Sequence, residues 1–330
     1  MRLTRRAALA GFGALALPGA AGAVEQTRFS VAVSARAISA FEPRSPERRR
    51  FGALQFRGGL VLSSSNPRFG GLSGLWRAGG DIVAVSDRGD WLTGKLVSQG
   101  GRPAALEDVE MAAILGFSGR PLARSGLYDI ESLCIADGVA YVGIERRHEI
   151  VRFDWAGQGV NARARPISVP LEVKRLPRNR GLEALGVVPI GPLKGALVAI
   201  AECSGEESEP TLGVILGGAQ PGLFRVARHD GYDITDLAFL PSGDMLLLER
   251  WYQPMRGVGM RIRRIAGRDL RAGAILDGPY LVEVDLGYEI DNMEGLAVHL
   301  EQGRTVLTLI SDDNFSVLQR TVLLEFELAG

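Results

Sequence analysis

Apolar and polar positions alternate in short runs along this chain, and glycine-containing turns separate the runs. The stretch YDIESLCIADGVAYVGIERRHEIVRFD at 128–154 shows the pattern in full. An apolar run follows Glu131, Asp137-Gly138 interrupts it, a second run ends at Glu145, and alternation resumes from Glu149 to Phe153. Asp-Gly between β-branched runs supplies the positive φ of a tight turn, so three consecutive antiparallel strands are expected. Glu131 and Glu145 are equidistant from Gly138. They therefore face each other at the open end of the hairpin, within one residue of register.

The pattern recurs. LSGL at 72–75, IESL at 130–133, LEAL at 182–185, ITDL at 234–237 and MEGL at 293–296 each open an apolar strand. Each leads through a turn to a strand ending in an acid, which pairs Ser73 with Asp87, Glu131 with Glu145, Glu183 with Glu202, Thr235 with Glu249 and Glu294 with Asp312. The repeats start 58, 52, 52 and 59 residues apart, the length of a four-stranded antiparallel sheet with its loops. That spacing predicts an all-β fold, a β-propeller with blades around a channel. No long stretch has helical periodicity, which disfavours a parallel α/β fold. Strand-like runs before residue 72 and the terminal TVLLEFELAG are expected to form a sixth blade together, giving six blades, with five as the alternative. Closure by both chain ends removes exposed sheet edges.

Residues 1–23 read differently. Arg5-Arg6, a short apolar run broken by Pro18, and Ala21-Gly22-Ala23 form a cleavable export signal of the twin-arginine type. The run is too short for a transmembrane anchor. Residues 24–330 then make one domain, expected to be a monomer in the periplasm or secreted. Removing Arg2, Arg5 and Arg6 from 38 basic residues leaves 35 against 38 acids, a net charge of −3, which argues against nucleic acid as partner. Cys134 and Cys203 fall in different repeats and are expected to be separate thiols.

If the first strand of each repeat lines the channel, Glu131, Glu183 and Glu294, with Ser73 and Thr235, form a ring at one mouth. Asp87, Glu145, Glu202, Glu249 and Asp312 form a second ring around it. So many carboxylates need neutralising. Arg88, Arg146 and Arg250, each following an outer acid, could do this and also hold anionic oxygens of a substrate. Calcium or another divalent cation, which takes six to eight oxygen ligands, is the second candidate, with Glu131, Glu183, Glu294, Asp312 and Asp313 as its ligands. Asp129, Asp233, Asp291, Asn292 and Asn314 add oxygens at the same rim. The competing reading is structural: acids at blade starts also bond neighbouring backbone, and Glu-Arg pairs also fasten blades. Trp91, Trp251 and Tyr252 are placed to floor a cleft, or to pack between blades. CSGEESEPT at 203–211 reads as a solvated loop or a lid. His148, His229 and His299 have no metal spacing and are expected at the surface. Neither a GxSxG elbow nor a phosphate-binding loop is present.

GGLSGLW with AVSDRG, DIESLCI with GIERR, NRGLEAL with AIAE, DITDLAFLPSGDMLLLER, and NMEGLAV with ISDDNF resemble the bacterial family called "esterase-like activity of phytase" across residues 70–328. The resemblance implies an exported propeller. The DAxDDPA-type motif of calcium-dependent propeller phytases does not occur, nor does a recognisable Ser-His-Asp set. The expected activity is hydrolysis of a small ester, such as a phosphate ester, with a cation at the acidic mouth. Two alternatives remain: a gluconolactonase-like lactonase, with Asn292, Asn314 or Asn179 beside a glutamate, and a non-catalytic binding or scaffold propeller.

Overall fold

The Asp137-Gly138 turn forms as its residues demand, with φ of 48° and 76°, and joins Ile130–Ala136 to Val139–Ile144 in antiparallel register. The same step of strand, turn and returning strand builds the whole protein in a computed structural model. It describes residues 28–329 apart from 127–128, 204, 206–208 and 254–256. The proposed export signal lies outside the described residues, and the 203–211 loop lies partly outside them.

Five antiparallel sheets stand around a central axis. Their innermost strands are Leu72–Ala78, Ile130–Ala136, Leu182–Val187, Asp233–Phe239 and Asn292–Glu301. Each packs on the next, and the fifth packs on the first. The propeller is thus confirmed, with five blades rather than six. Strand supply explains the count. The fifth hairpin, Asn292–Glu301 with Arg304–Asp312, has only Thr321–Leu328 after it in the chain. Its fourth strand is Leu54–Ser63 from the other end, followed outward by Ser34–Ile38. The terminal strands therefore complete the fifth repeat instead of adding a sheet. Phe29–Ser30 meanwhile pairs with the outer strand of the first blade, Arg102–Ala113, so the N-terminal segment ties blades one and five together.

Apolar burial is divided among five clusters, one at each junction between successive blades. Both faces of the inner hairpins are covered, which is why their sequences are continuous apolar runs rather than strict alternations. Trp91 is fully buried between blades one and two, edge-on to Phe153 with ring centroids 5.0–5.2 Å from Trp155 and Phe153; it floors no cleft. Leu75, Leu133, Leu185, Leu237 and Leu296, one from each innermost strand, are buried and line a small cavity of about 170 Å³ on the axis. Each such side chain contributes about 2 kcal/mol of burial. Together they close the channel below the mouth.

Candidate functional site

In every blade the innermost strand carries a β-bulge at the same place. Pairing slips between Leu72 and Gly74, Ile130 and Ser132, Leu182 and Ala184, Ile234 and Asp236, and Met293 and Gly295. The extra residue is Ser73, Glu131, Glu183, Thr235 or Glu294, the repeat position singled out by the sequence. A bulge re-aims the side chain it carries and ends regular pairing. Here it turns three glutamates into the mouth.

Counting outward from the bulge fixes the second ring. Asp87, Glu145 and Glu202 donate backbone N–H bonds of 2.8–2.9 Å to Gly71, Asp129 and Gly181, two residues before each bulge. Asp312 pairs with Asn292 in the same relation. In blade four the residue opposite Asp233 is Arg250, not Glu249. The hairpin through Pro241-Ser242-Gly243 is one residue longer than those of blades one and two, so the acid of the LER motif slips out of the ring and the arginine takes its place. Glu249 turns away, is buried, and holds Arg261, at 2.5 Å, and Arg263. It is a fastener within blade four.

The result is a cavity of about 840 Å³ at one mouth. Nine acids line it, among them Asp87, Glu131, Glu145, Glu183, Glu202, Glu294 and Asp312, against two cations, Arg250 and Arg320. Arg250 Nε donates to Glu294 Oε1 at 2.7 Å, and its Nη2 lies 3.9 Å from Glu202. Asn292 Nδ2 donates to the same Glu294 oxygen at 2.8 Å, while Glu294 Oε2 is buried with no hydrogen-bond partner among the described residues. Arg320 is taken up by Glu289 at 2.8 Å and Asp291 at 3.4 Å. Glu145 Oε1 accepts from Gly181 N at 3.3 Å. The side chains of Glu131 and Glu183 make no hydrogen bond among the described residues.

Desolvation dominates the protonation of this cup. Burial, reinforced by neighbouring carboxylates, lifts Glu131 and Glu183 well above the usual carboxylate range. It pushes Glu202 and Asp312 up to about 7, against the pull of Arg250 on the first and of the Asn314 N–H on the second. Asp87, Glu145 and Glu294 are raised for the same first cause. The neighbouring acids hold Arg250 firmly protonated against its own burial.

Other candidates are placed elsewhere. Arg88 stacks on Phe315, its guanidinium carbon 3.3 Å from the ring centroid, and Arg146 pairs with Asp129. Asp313 lies beside the mouth as a loop fastener: Oδ1 accepts from Gly71 N and Phe315 N at 3.0 Å, and Oδ2 accepts from Thr321 at 3.0 Å. Trp251 packs edge-on to Tyr232 at 6.4 Å, whereas Tyr252 does line the cavity. His148 and His299 are buried, contrary to expectation, while His229 sits near the surface beside Asp277. The blade-to-blade fasteners foreseen for the ring acids are met in part, by Glu145 with Gly181 N and Glu294 with Arg250, and their neighbours supply others. Ser132 donates to Leu182 O at 2.9 Å, and Asp236 accepts from Leu296 N at 2.7 Å. The sequence reading missed Arg320 and an apolar wall of Val258, Leu286, Ile290 and Leu318. Single apolar residues in loops carry no signal of where they converge.

An all-oxygen donor set with an orphaned buried carboxylate oxygen fits a hard divalent cation. It also suits a ligand that brings anionic oxygens to Arg250.

Comparison with known proteins agrees with the sequence resemblance. Among curated proteins none matches. Similar solved structures include a PQQ-bound aldose sugar dehydrogenase from Streptomyces coelicolor, 12% identical, covering 90% of this chain and 99% of that one, TM-score 0.44. Another is an exo-1,5-alpha-L-arabinanase from a bovine ruminal metagenomic library, 10% identical, covering 85% and 96%, TM-score 0.42. The family described as "Phytase-like: Esterase-like activity of phytase" matches residues 67–315, most of the chain, and the protein belongs to that family.

Proposed function

We propose that this protein is an exported hydrolase of a small ester, foremost a phosphate ester, working with calcium or another divalent cation at the acidic mouth. The observation that carries this is a cup lined by nine acids and two arginines, in which the side chains of Glu131 and Glu183 have no hydrogen-bond partner among the described residues and Glu294 Oε2 is left unbonded. A permanent structural role would pair them. A bound cation would polarise the ester and lower the pKa of water. Arg250, held by Glu294 and Glu202, presents a fixed positive charge to the ester oxygens. The leucine ring excludes bulk water from below, which strengthens every charge interaction in the cup. Asp312, at about 7, exchanges a proton near neutral pH and suits the proton transfer to the leaving group. Arg88, Arg146 and Trp251, placed outside the cup, act on its rim at most.

A lactone substrate is the second reading. Asn292 beside Glu294 is the amide-carboxylate pairing it requires, and Asn179 and Asn314 also line the cavity. A panel of phosphate monoesters, carboxylic esters and lactones, assayed with calcium and after chelation, separates these. Turnover of one class, lost on chelation and restored by calcium, is expected. Stability and all turnover unchanged by chelation would leave a binding propeller.

A further inference from the structure

We infer that the mouth holds two divalent cations side by side, with Glu145 shared between them; this rests on the cation reading above and specifies it. Among the described residues, two sets of three carboxylates have one oxygen each within 4.8 Å of one another: Asp129, Glu131 and Glu145, and Glu145, Glu183 and Glu202. Oxygens bound to one calcium at about 2.3–2.6 Å lie at most about 5 Å apart, so either set fits around one ion. No single position gathers all five acids. Two centres account for them, and Glu145 belongs to both.

The fold explains the sharing. Glu131 is the bulge residue of blade two, with Asp129 two residues before it; Glu183 is the bulge residue of blade three, and Glu202 stands on its returning strand where Glu145 stands in blade two. Glu145 sits on the seam, its Oε1 accepting from Gly181 of blade three at 3.3 Å. A carboxylate has lone pairs on both oxygens, so it can face an ion on either side. Carboxylates bridging two ions about 3.5–4 Å apart are a general feature of hydrolytic two-metal sites.

Charge points the same way. Against these five acids stand two arginines: Arg146 reaches Asp129 and Arg250 lies 3.9 Å from Glu202. Independently, Glu294 is 5% exposed and lines the same cavity with Oε2 unpartnered. It is available as a further ligand on the blade-five side.

The test is calcium stoichiometry, by isothermal titration and by elemental analysis after dialysis, on the mature chain and three variants. Asp129→Asn suits the left-handed backbone there, φ 80°, and should remove the first ion only. Glu202→Gln should remove the second only. Glu145→Gln should weaken both at least tenfold. Two ions per parent chain and one in each of the first two variants is the expected result. If Glu145→Gln does not fold, those two variants still decide. One ion per parent chain would overturn the pair and leave the single-cation reading intact. No calcium, magnesium, manganese or zinc bound would overturn both.

Discussion

Arg250 occupies a ring position where the other four blades carry an acid, and it holds Glu294 by a 2.7 Å hydrogen bond in a buried setting. Removing one partner of such a pair leaves a charge uncompensated, at a cost of about 3 kcal/mol. Arg250→Met should lower stability by that amount at pH 8, and adding Glu294→Gln should recover part of it, as chemical denaturation will measure. The acids around Arg250 make stability fall with rising pH. A raised folded pKa means that the folded chain holds more protons than the unfolded one between the two values, so each such acid costs stability over that interval and the loss is complete once pH passes the folded value. Above about pH 7.5 His299, lowered to about 4 by burial, is neutral in both states and adds nothing. As pH rises towards about 8 the thermal midpoint in chelator should therefore drop, because Glu202 and Asp312 keep protons up to about 7, and Glu131 and Glu183 are held well above the usual range, while the unfolded chain has released its own. Calcium should flatten the drop. The acids themselves were legible in the sequence because duplication repeats them at constant spacing. Their sorting was not: Glu249 and Arg250 exchange roles through one extra residue in a turn.

The innermost strands approach each other more closely than side chains usually permit. A Cβ at Gly295 would lie 2.7 Å from Ile310 Cγ2 and 2.9 Å from Leu75 Cβ, across the junction of blades five and one. Gly295→Ala should cost about 1–3 kcal/mol through overpacking. In Gly191→Ala the added methyl meets open space, and the only cost is that of a positive φ, about 1–2 kcal/mol. Equal losses in thermal unfolding would show that close packing at the axis is not limiting. Hairpins and their turns were legible because period-two patterning and Asp-Gly turns act locally. The bulge at each strand start was not: it is visible only in pairing with the partner strand.

Closure of the ring depends on residues from opposite chain ends. Leu54–Ser63 pairs along Thr321–Leu328, and the N-terminal Phe29–Ser30 continues onto blade one. Deleting residues 24–63 should expose the Thr321–Leu328 edge and an apolar junction. Size-exclusion chromatography should then show association, and calorimetry the loss of a single cooperative transition. A monomeric, cooperatively folding deletion variant would show that four-stranded closure is dispensable.

Repeat length, strand-and-turn pattern, and the recurrence of acids at strand ends follow from the sequence by itself, because each rests on local sterics and on a unit copied five times. The number of blades, the leucine floor, the fate of Glu249 and Asp313, and the meeting of Asp129, Glu131, Glu145, Glu183 and Glu202 were decided by tertiary structure alone. Those features depend on which strand finds which partner and on how blades lean together. A one-residue change of register there reverses the direction in which a side chain points.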